Sequence, residues 1–172
     1  MEHINIEIKA KCADQEKIRD ILKSHNADFK GIDHQVDTYF KVSNGRLKLR
    51  EGDIENYLIF YEREDKEGPK QSNVILYKSD SASNLKEVLT KSLGILATVD
   101  KQREIYFINN VKFHLDNVQN LGTFMEIEAI DTTGNIDREK LLDQCNRYLK
   151  LLGIESVNLL TDSYSDQILK TL

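Results

Sequence analysis

Charged side chains recur two positions apart in one segment after another, each time interleaved with apolar ones. Glu7, Lys9 and Lys11 alternate with Ile6, Ile8 and Ala10, and Arg46, Lys48 and Arg50 alternate with Leu47 and Leu49. Lys101 and Arg103 follow, then Lys112, His114 and Asp116 against Val111, Phe113 and Leu115, and last Glu126 and Glu128 against Met125 and Ile127. Lys78 and either Glu62 or Arg63 extend the set. Residues two apart on a β-strand share a face, about 6.5–7 Å along the chain, so each group is a charged row backed by an apolar one. Roughly six to eight cations gathered on one surface would repel by a few kcal/mol per close pair at intermediate dielectric, and a polyanion would relieve that repulsion. Glu7, Glu126 and Glu128 offer oxygen ligands for Mg²⁺ or Mn²⁺, hard cations that bridge carboxylates and phosphates.

The elements that must position these rows can be read from period and punctuation. Strict alternation over residues 4–11 marks the first strand. A helix follows over 14–25, with Asp14 as its N-cap and Ile18, Ile21 and Leu22 as its apolar stripe. Residues 27–40 read as extended, Asn44-Gly45 is a hairpin turn, and 46–50 and 57–63 are the next strands. The polar segment 64–71 with the only proline is a surface turn before a strand at 73–78. A second helix spans 83–93, striped by Leu85, Val88, Leu89 and Leu93 and stopped by Gly94. Strands follow at 95–108, 111–117 and 123–130, then a third helix at 137–152 and a short helical tail at 163–172.

The halves repeat. Asp33, Gln35, Tyr39 and Phe40 recur as Asp100, Gln102, Tyr106 and Phe107 at a constant offset of 67, and each half reads strand–helix–strand–strand–strand. This predicts an α+β fold in which two four-stranded units form a closed or nearly closed eight-stranded antiparallel β-barrel with helices outside. The charged rows could face water around an apolar interior, or line a tunnel with the apolar rows outward. Three amphipathic helices need an apolar surface to pack on, which favours the tunnel.

Composition sets the frame. The chain has 172 residues, 40% apolar and 31% charged, enough for one folded domain spanning residues 1–172. A net charge of −5 opposes a broad nucleic-acid surface but not a local anion site. No stretch reads as a signal peptide or a membrane span, and the two cysteines, Cys12 and Cys145, have no metal-type spacing, so the cytoplasm is the expected compartment. His34 and His114 read as surface or structural histidines, and Tyr57, Tyr61, Tyr77 and Tyr106 as barrel-wall packing.

An ordered series of motifs covers nearly the whole chain. It comprises Asn5-Ile6-Glu7-Ile8-Lys9, Asp37-Thr38-Tyr39-Phe40, Leu47-Lys48-Leu49-Arg50-Glu51, Lys101-Gln102-Arg103, Leu115-Asp116-Asn117-Val118, Leu121-Gly122-Thr123-Phe124-Met125-Glu126-Ile127-Glu128 and Ser163-Tyr164. This series resembles the CYTH superfamily of triphosphate tunnel metalloenzymes, which includes class IV adenylyl cyclases, thiamine triphosphatases and inorganic tripolyphosphatases. Segments 101–107 and 116–128 are most similar to the bacterial class IV cyclase branch.

The resemblance implies an eight-stranded tunnel. It assigns the divalent metal to Glu7, Glu126 and Glu128, and the phosphate chain to Lys9, Lys48, Arg50, Lys101 and Arg103; Lys78 joins the phosphate-binding set from its place on the charged rows. Asp116 would orient one of the basic side chains, which places Lys9, Arg103 and Asp116 in the catalytic role. Asn5 departs from the family's E-x-E-x-K by removing one carboxylate, and Arg63 would replace a lysine that the family carries on that strand. Three functions are then open: metal-dependent hydrolysis of a triphosphate, cyclisation of ATP to cyclic AMP and pyrophosphate, or binding without turnover. The expected partner is ATP, thiamine triphosphate or tripolyphosphate, with neither nucleic acid nor membrane; a homodimer is left open.

Overall fold

The computed structural model describes residues 2–64 and 66–172. Eight strands run β1 (Glu2–Lys11), β2 (Asp28–Phe40), β3 (Arg46–Gly52), β4 (Tyr57–Arg63), β5 (Lys70–Lys78), β6 (Ile95–Ile108), β7 (Val111–Val118) and β8 (Gly122–Asp131). The helices are α1 (Gln15–Ser24), α2 (Leu85–Leu93), α3 (Arg138–Leu151) and α4 (Tyr164–Lys170). The strands close into a barrel in the order β1-β5-β4-β3-β2-β6-β7-β8, every pair antiparallel. The opening strand of each half is inserted beside the last strand of the other, β1 against β8 and β5 against β4. Corresponding strands of the two halves pair with each other, β1 with β5 and β2 with β6. No helix is long and apolar enough to cross a membrane among the described residues.

Sidedness follows the alternation. Ile6, Ile8 and Ala10 of β1 point outward, into a core with Ile18 and Leu22 of α1 and Leu141, Cys145 and Tyr148 of α3. Phe113, fully buried on the outer face of β7, meets Tyr148 edge-on at 5.0 Å. With that surface satisfied by helices, the polar rows can only face the lumen. Asp14 caps α1 by accepting from the Lys17 amide, and the Gln15 side chain ties the helix start to the Asp116 and Phe124 carbonyls. At Asn44-Gly45 the hairpin turns through Gly45 at φ 58°, where a side chain would meet the Phe60 ring at 2.6 Å.

Two expectations needed correction. β5 begins at Lys70 instead of residue 73, because β1 and β4 supply a ladder that the polar composition of Lys70-Gln71-Ser72 hides: Glu7 lies opposite Lys70 and Arg63 opposite Ser72. The expected turn before it includes Asp65, which lies outside the described residues. The second helix does not pack as the others do. α2 has no buried residue among its own, and Val88 and Leu93 of its stripe stay exposed. The apolar-cover argument therefore holds for α1 and α3 only.

Candidate functional site

The inward rows enclose a lumen of about 280 Å³. Among the described residues, seven cations (Lys9, Lys48, Arg50, Arg63, Lys101, Arg103, Lys112) and five carboxylates (Glu7, Asp37, Glu55, Glu126, Glu128) line it. On the β4–β5 side the wall is apolar, built from Tyr57, Ile59, Tyr61, Val74 and Leu76. One end is closed by α4. Its capping box joins Ser163 and Asp166, the Arg46 guanidinium donates to Ser163 Oγ at 2.8 Å, and Tyr164 hangs into the lumen, where Lys9 Nζ sits 3.8 Å from its ring centre.

Cross-strand register decides the ion pairs. Asp37 lies opposite Arg50, and its carboxylate accepts from Arg50 Nε at 2.9 Å and Nη2 at 2.8 Å. The same carboxylate takes Lys101 Nζ at 2.8 Å and Lys48 Nζ at 3.2 Å. Asp116 lies opposite Arg103 and accepts its Nε at 2.7 Å and Nη2 at 2.6 Å, while the Tyr164 hydroxyl donates to it at 2.7 Å. Glu126 gathers Lys9 at 2.9 Å, Arg103 at 3.2 Å and His114 Nδ1 at 2.9 Å. Glu7 meets Arg63 at 3.4 Å, and Glu55 holds Arg50 at 3.1 Å together with Lys112. The repulsive row of cations expected from the sequence is thus corrected: each of these cations has a carboxylate partner, and a phosphate chain would exchange partners rather than fill an unbalanced field.

These contacts set the protonation states. Burial by itself would raise the Asp37 carboxyl, but Arg50, Lys101 and Lys48 overcome it and hold the group well below its ordinary range. Glu126 is likewise held down against burial by Lys9, Arg103 and His114. Glu128 goes the other way. Burial pushes it up to about 7, Lys112 opposes, and the Glu7 and Glu126 carboxylates add to the rise.

Lys9, Lys48, Arg50, Arg63, Lys101, Arg103, Glu7, Glu126 and Glu128 all line the lumen, and Asp116 lies fully buried behind Arg103. Lys78 does not reach the lumen. It shares the inward parity of β5 but ends the strand, exposed beside Asn56, Ser79 and Asp80. His114, read as surface or structural, is buried in the lumen wall on Glu126, whereas His34 is exposed beside Asp100. Tyr57 and Tyr61 face inward, Tyr77 is exposed, and Tyr106 packs outside with Phe29. Glu55 was missed because a lone glutamate in a loop has no period to betray it. Lys112 was seen on its row but not assigned.

The three glutamates do not form one ligand cluster: among the described residues no three His, Cys, Asp or Glu side chains converge as a metal set. Glu7 and Glu128 nonetheless lie directly opposite across β1 and β8, and Asn5 donates to Glu128 at 3.2 Å while its own carbonyl oxygen is buried without a partner. Two close carboxylates, one retaining its proton near neutrality, and an unpartnered carbonyl oxygen are what a hard divalent cation would satisfy. Glu7, Glu128 and Asn5 fit such an ion. Glu126 is drawn instead into the cation cluster.

A stability measurement tests this charge crowding. A carboxyl raised from an unfolded value near 4.5 to about 7 binds its proton more tightly when folded, so ionisation costs stability progressively as pH climbs between those values. Glu128→Gln mimics the protonated acid. In chelator-treated protein the variant is expected to match wild type at pH 4 and to become more stable by up to ~3 kcal/mol by pH 8. A pH-independent difference between the two unfolding curves would remove Glu128 from the crowded pair.

The CYTH domain family model matches residues 3–164. A protein of Methanocaldococcus jannaschii named "Putative adenylate cyclase MJ0240" is 28% identical over 176 residues, covering 94% of this chain and 96% of its own. The PH1012 protein of Pyrococcus horikoshii superposes with a TM-score of 0.81 at 25% identity, over 95% of this chain and 99% of that one. A conserved hypothetical protein of Pyrococcus furiosus gives 0.79 at 25% identity, over 94% and 98%.

Proposed function

The chain belongs to the CYTH domain family, and from that premise we propose that it is a divalent-metal-dependent hydrolase acting on a triphosphate held in the barrel lumen. The observation that carries the reading is the convergence of seven cationic side chains, from five of the eight strands, on one enclosed space. Phosphoryl transfer asks mainly for positioning and charge stabilisation, which is what such a lining supplies. Arg103, whose Nε and Nη2 are held by Asp116, itself bonded by the Tyr164 hydroxyl, has its Nη1 end to offer phosphate oxygens, and Lys9 adds a point charge beside it. Lys101, two residues from Arg103 on β6, and Lys48 on β3 hold the next phosphate, with Arg50 steadied by Asp37. Glu7 and Glu128, with the Asn5 carbonyl, would bind Mg²⁺ or Mn²⁺, which neutralises phosphate oxygens and acts as a Lewis acid when present. Closure of one end by α4 limits water access from that side, and a water entering from the other end would attack the terminal phosphorus. The cytoplasm is the compartment we assign, because both cysteines are free thiols.

A second reading has its own support. The M. jannaschii relative is named for adenylate cyclase, and the apolar β4–β5 wall could receive a nucleoside. There the ribose 3′-hydroxyl would attack the α-phosphorus and pyrophosphate would leave. A product assay over ATP, thiamine triphosphate and tripolyphosphate, with each metal, separates the readings. Orthophosphate supports the hydrolase, cyclic AMP with pyrophosphate the cyclase, and saturable binding without product would overturn both.

A further inference from the structure

Among the described residues, Glu55 is the one carboxylate of the lumen lining that a loop supplies; Glu7, Asp37, Glu126 and Glu128 all sit on strands. The loop between β3 and β4 is built to present it. Buried Asp33 accepts the backbone amides of Ile54 at 2.9 Å and Glu55 at 3.0 Å, and the Asn56 side chain bridges both backbone groups of Gly52. Gly52 is needed there, since a Cβ would meet the Glu55 carbonyl at 2.7 Å and the Asp33 carboxylate at 2.8 Å. From this platform the Glu55 side chain reaches Arg50 on β3 and Lys112 on β7. In the barrel order those strands are separated by β2 and β6, so the carboxylate spans the lumen between two cations. The Gln35 side-chain amide also donates to it at 3.5 Å.

We propose that Glu55 is an internal stand-in for a phosphate, a specificity-determining carboxylate that an incoming phosphate chain must displace from Arg50 and Lys112. This rests on the phosphate-chain reading of the lumen. Asp37 remains on Arg50 through two hydrogen bonds whether or not Glu55 is there, so releasing Glu55 does not dismantle the wall. Displacement requires only rotation of the Glu55 side chain, because its backbone is pinned by Asp33. A singly charged anion offers these two cations no more than the resident carboxylate does, whereas a terminal phosphate carries more charge and more acceptor oxygens. Glu55 therefore raises the charge an anion needs to enter.

The test is calorimetric titration of the whole chain with tripolyphosphate and with pyrophosphate in chelator-treated buffer, so that turnover plays no part. Glu55→Gln, which keeps the shape and can still accept from Arg50, is expected to bind both ligands about tenfold more tightly than wild type. Glu51→Gln removes the same charge from a glutamate that pairs with Lys86 away from the lumen, and is expected to leave affinity unchanged. Glu55→Asp draws the charge back by one methylene and should move affinity in the same direction, which keeps the proposal testable if the glutamine variant folds poorly. Binding by Glu55→Gln alone, with none by wild type, would support the proposal in its strongest form. Wild-type affinity in Glu55→Gln, or a loss, overturns it while the phosphate-chain reading stands. No binding by any of the chains overturns both.

Discussion

Glu126→Gln is expected to cut metal-dependent turnover by about 100-fold or more while the barrel stays folded. The carboxylate holds Lys9 at 2.9 Å, Arg103 at 3.2 Å and His114 at 2.9 Å, so three groups of the lumen lose their common anchor at once. Arg103 keeps its two bonds to Asp116, which is why folding should survive. The amide fills the same volume but cannot accept from two cations and the imidazole with the strength of a charge. The metal dependence of the residual rate separates two roles. If Glu126 acts as the anchor described here, excess Mg²⁺ or Mn²⁺ leaves kcat depressed and KM for the triphosphate raised. Recovery of kcat at high metal would instead make Glu126 a ligand, and an unchanged rate would remove it from the site.

That distinction was not legible in the sequence, although much around it was. Period-two alternation in residues 4–11 and 46–50 established both the strands and their two-faced character, and the apolar stripes of the first and third helices settled which face was covered. The same reasoning failed for α2, because a stripe on a helix does not say that a matching surface awaits it; Val88 and Leu93 remain exposed. It failed for Lys78 because parity fixes the face of a residue but not whether the strand still borders the lumen at that height. The ion pairs were hidden for a related reason. Asp37 and Asp116 were visible as residues, but their partners depend on register, which sets Asp37 against Arg50 and Arg103 against Asp116. Once register is known, the electrostatic picture changes from a lumen of mutually repelling cations to one of matched pairs. Ligand binding is then an exchange of carboxylate partners for phosphate oxygens, and its strength depends on how readily each carboxylate lets go.

Asp37→Asn probes the tightest of those partnerships and carries the largest expected loss of stability. One fully buried carboxylate compensates Arg50, Lys101 and Lys48, and Lys101 itself is only 1% exposed. Breaking a buried ionic network by removing one partner costs about 3–5 kcal/mol, because the remaining charges stay desolvated without compensation. A denaturant unfolding curve should shift to a lower midpoint with its slope unchanged. The variant then becomes a sensor for ligand. A polyanion that replaces the missing charge stabilises the folded state by mass action, about 2.7 kcal/mol at a hundred times its Kd. It should therefore raise the melting temperature of Asp37→Asn by more than it raises that of wild type, where Asp37 still competes for the same three cations. Equal shifts in the two proteins would mean that the phosphate chain does not reach Lys48, Arg50 and Lys101. A variant as stable as wild type would mean that the three cations find other compensation, and that the carboxylate at the centre of the cluster is not what holds them in place.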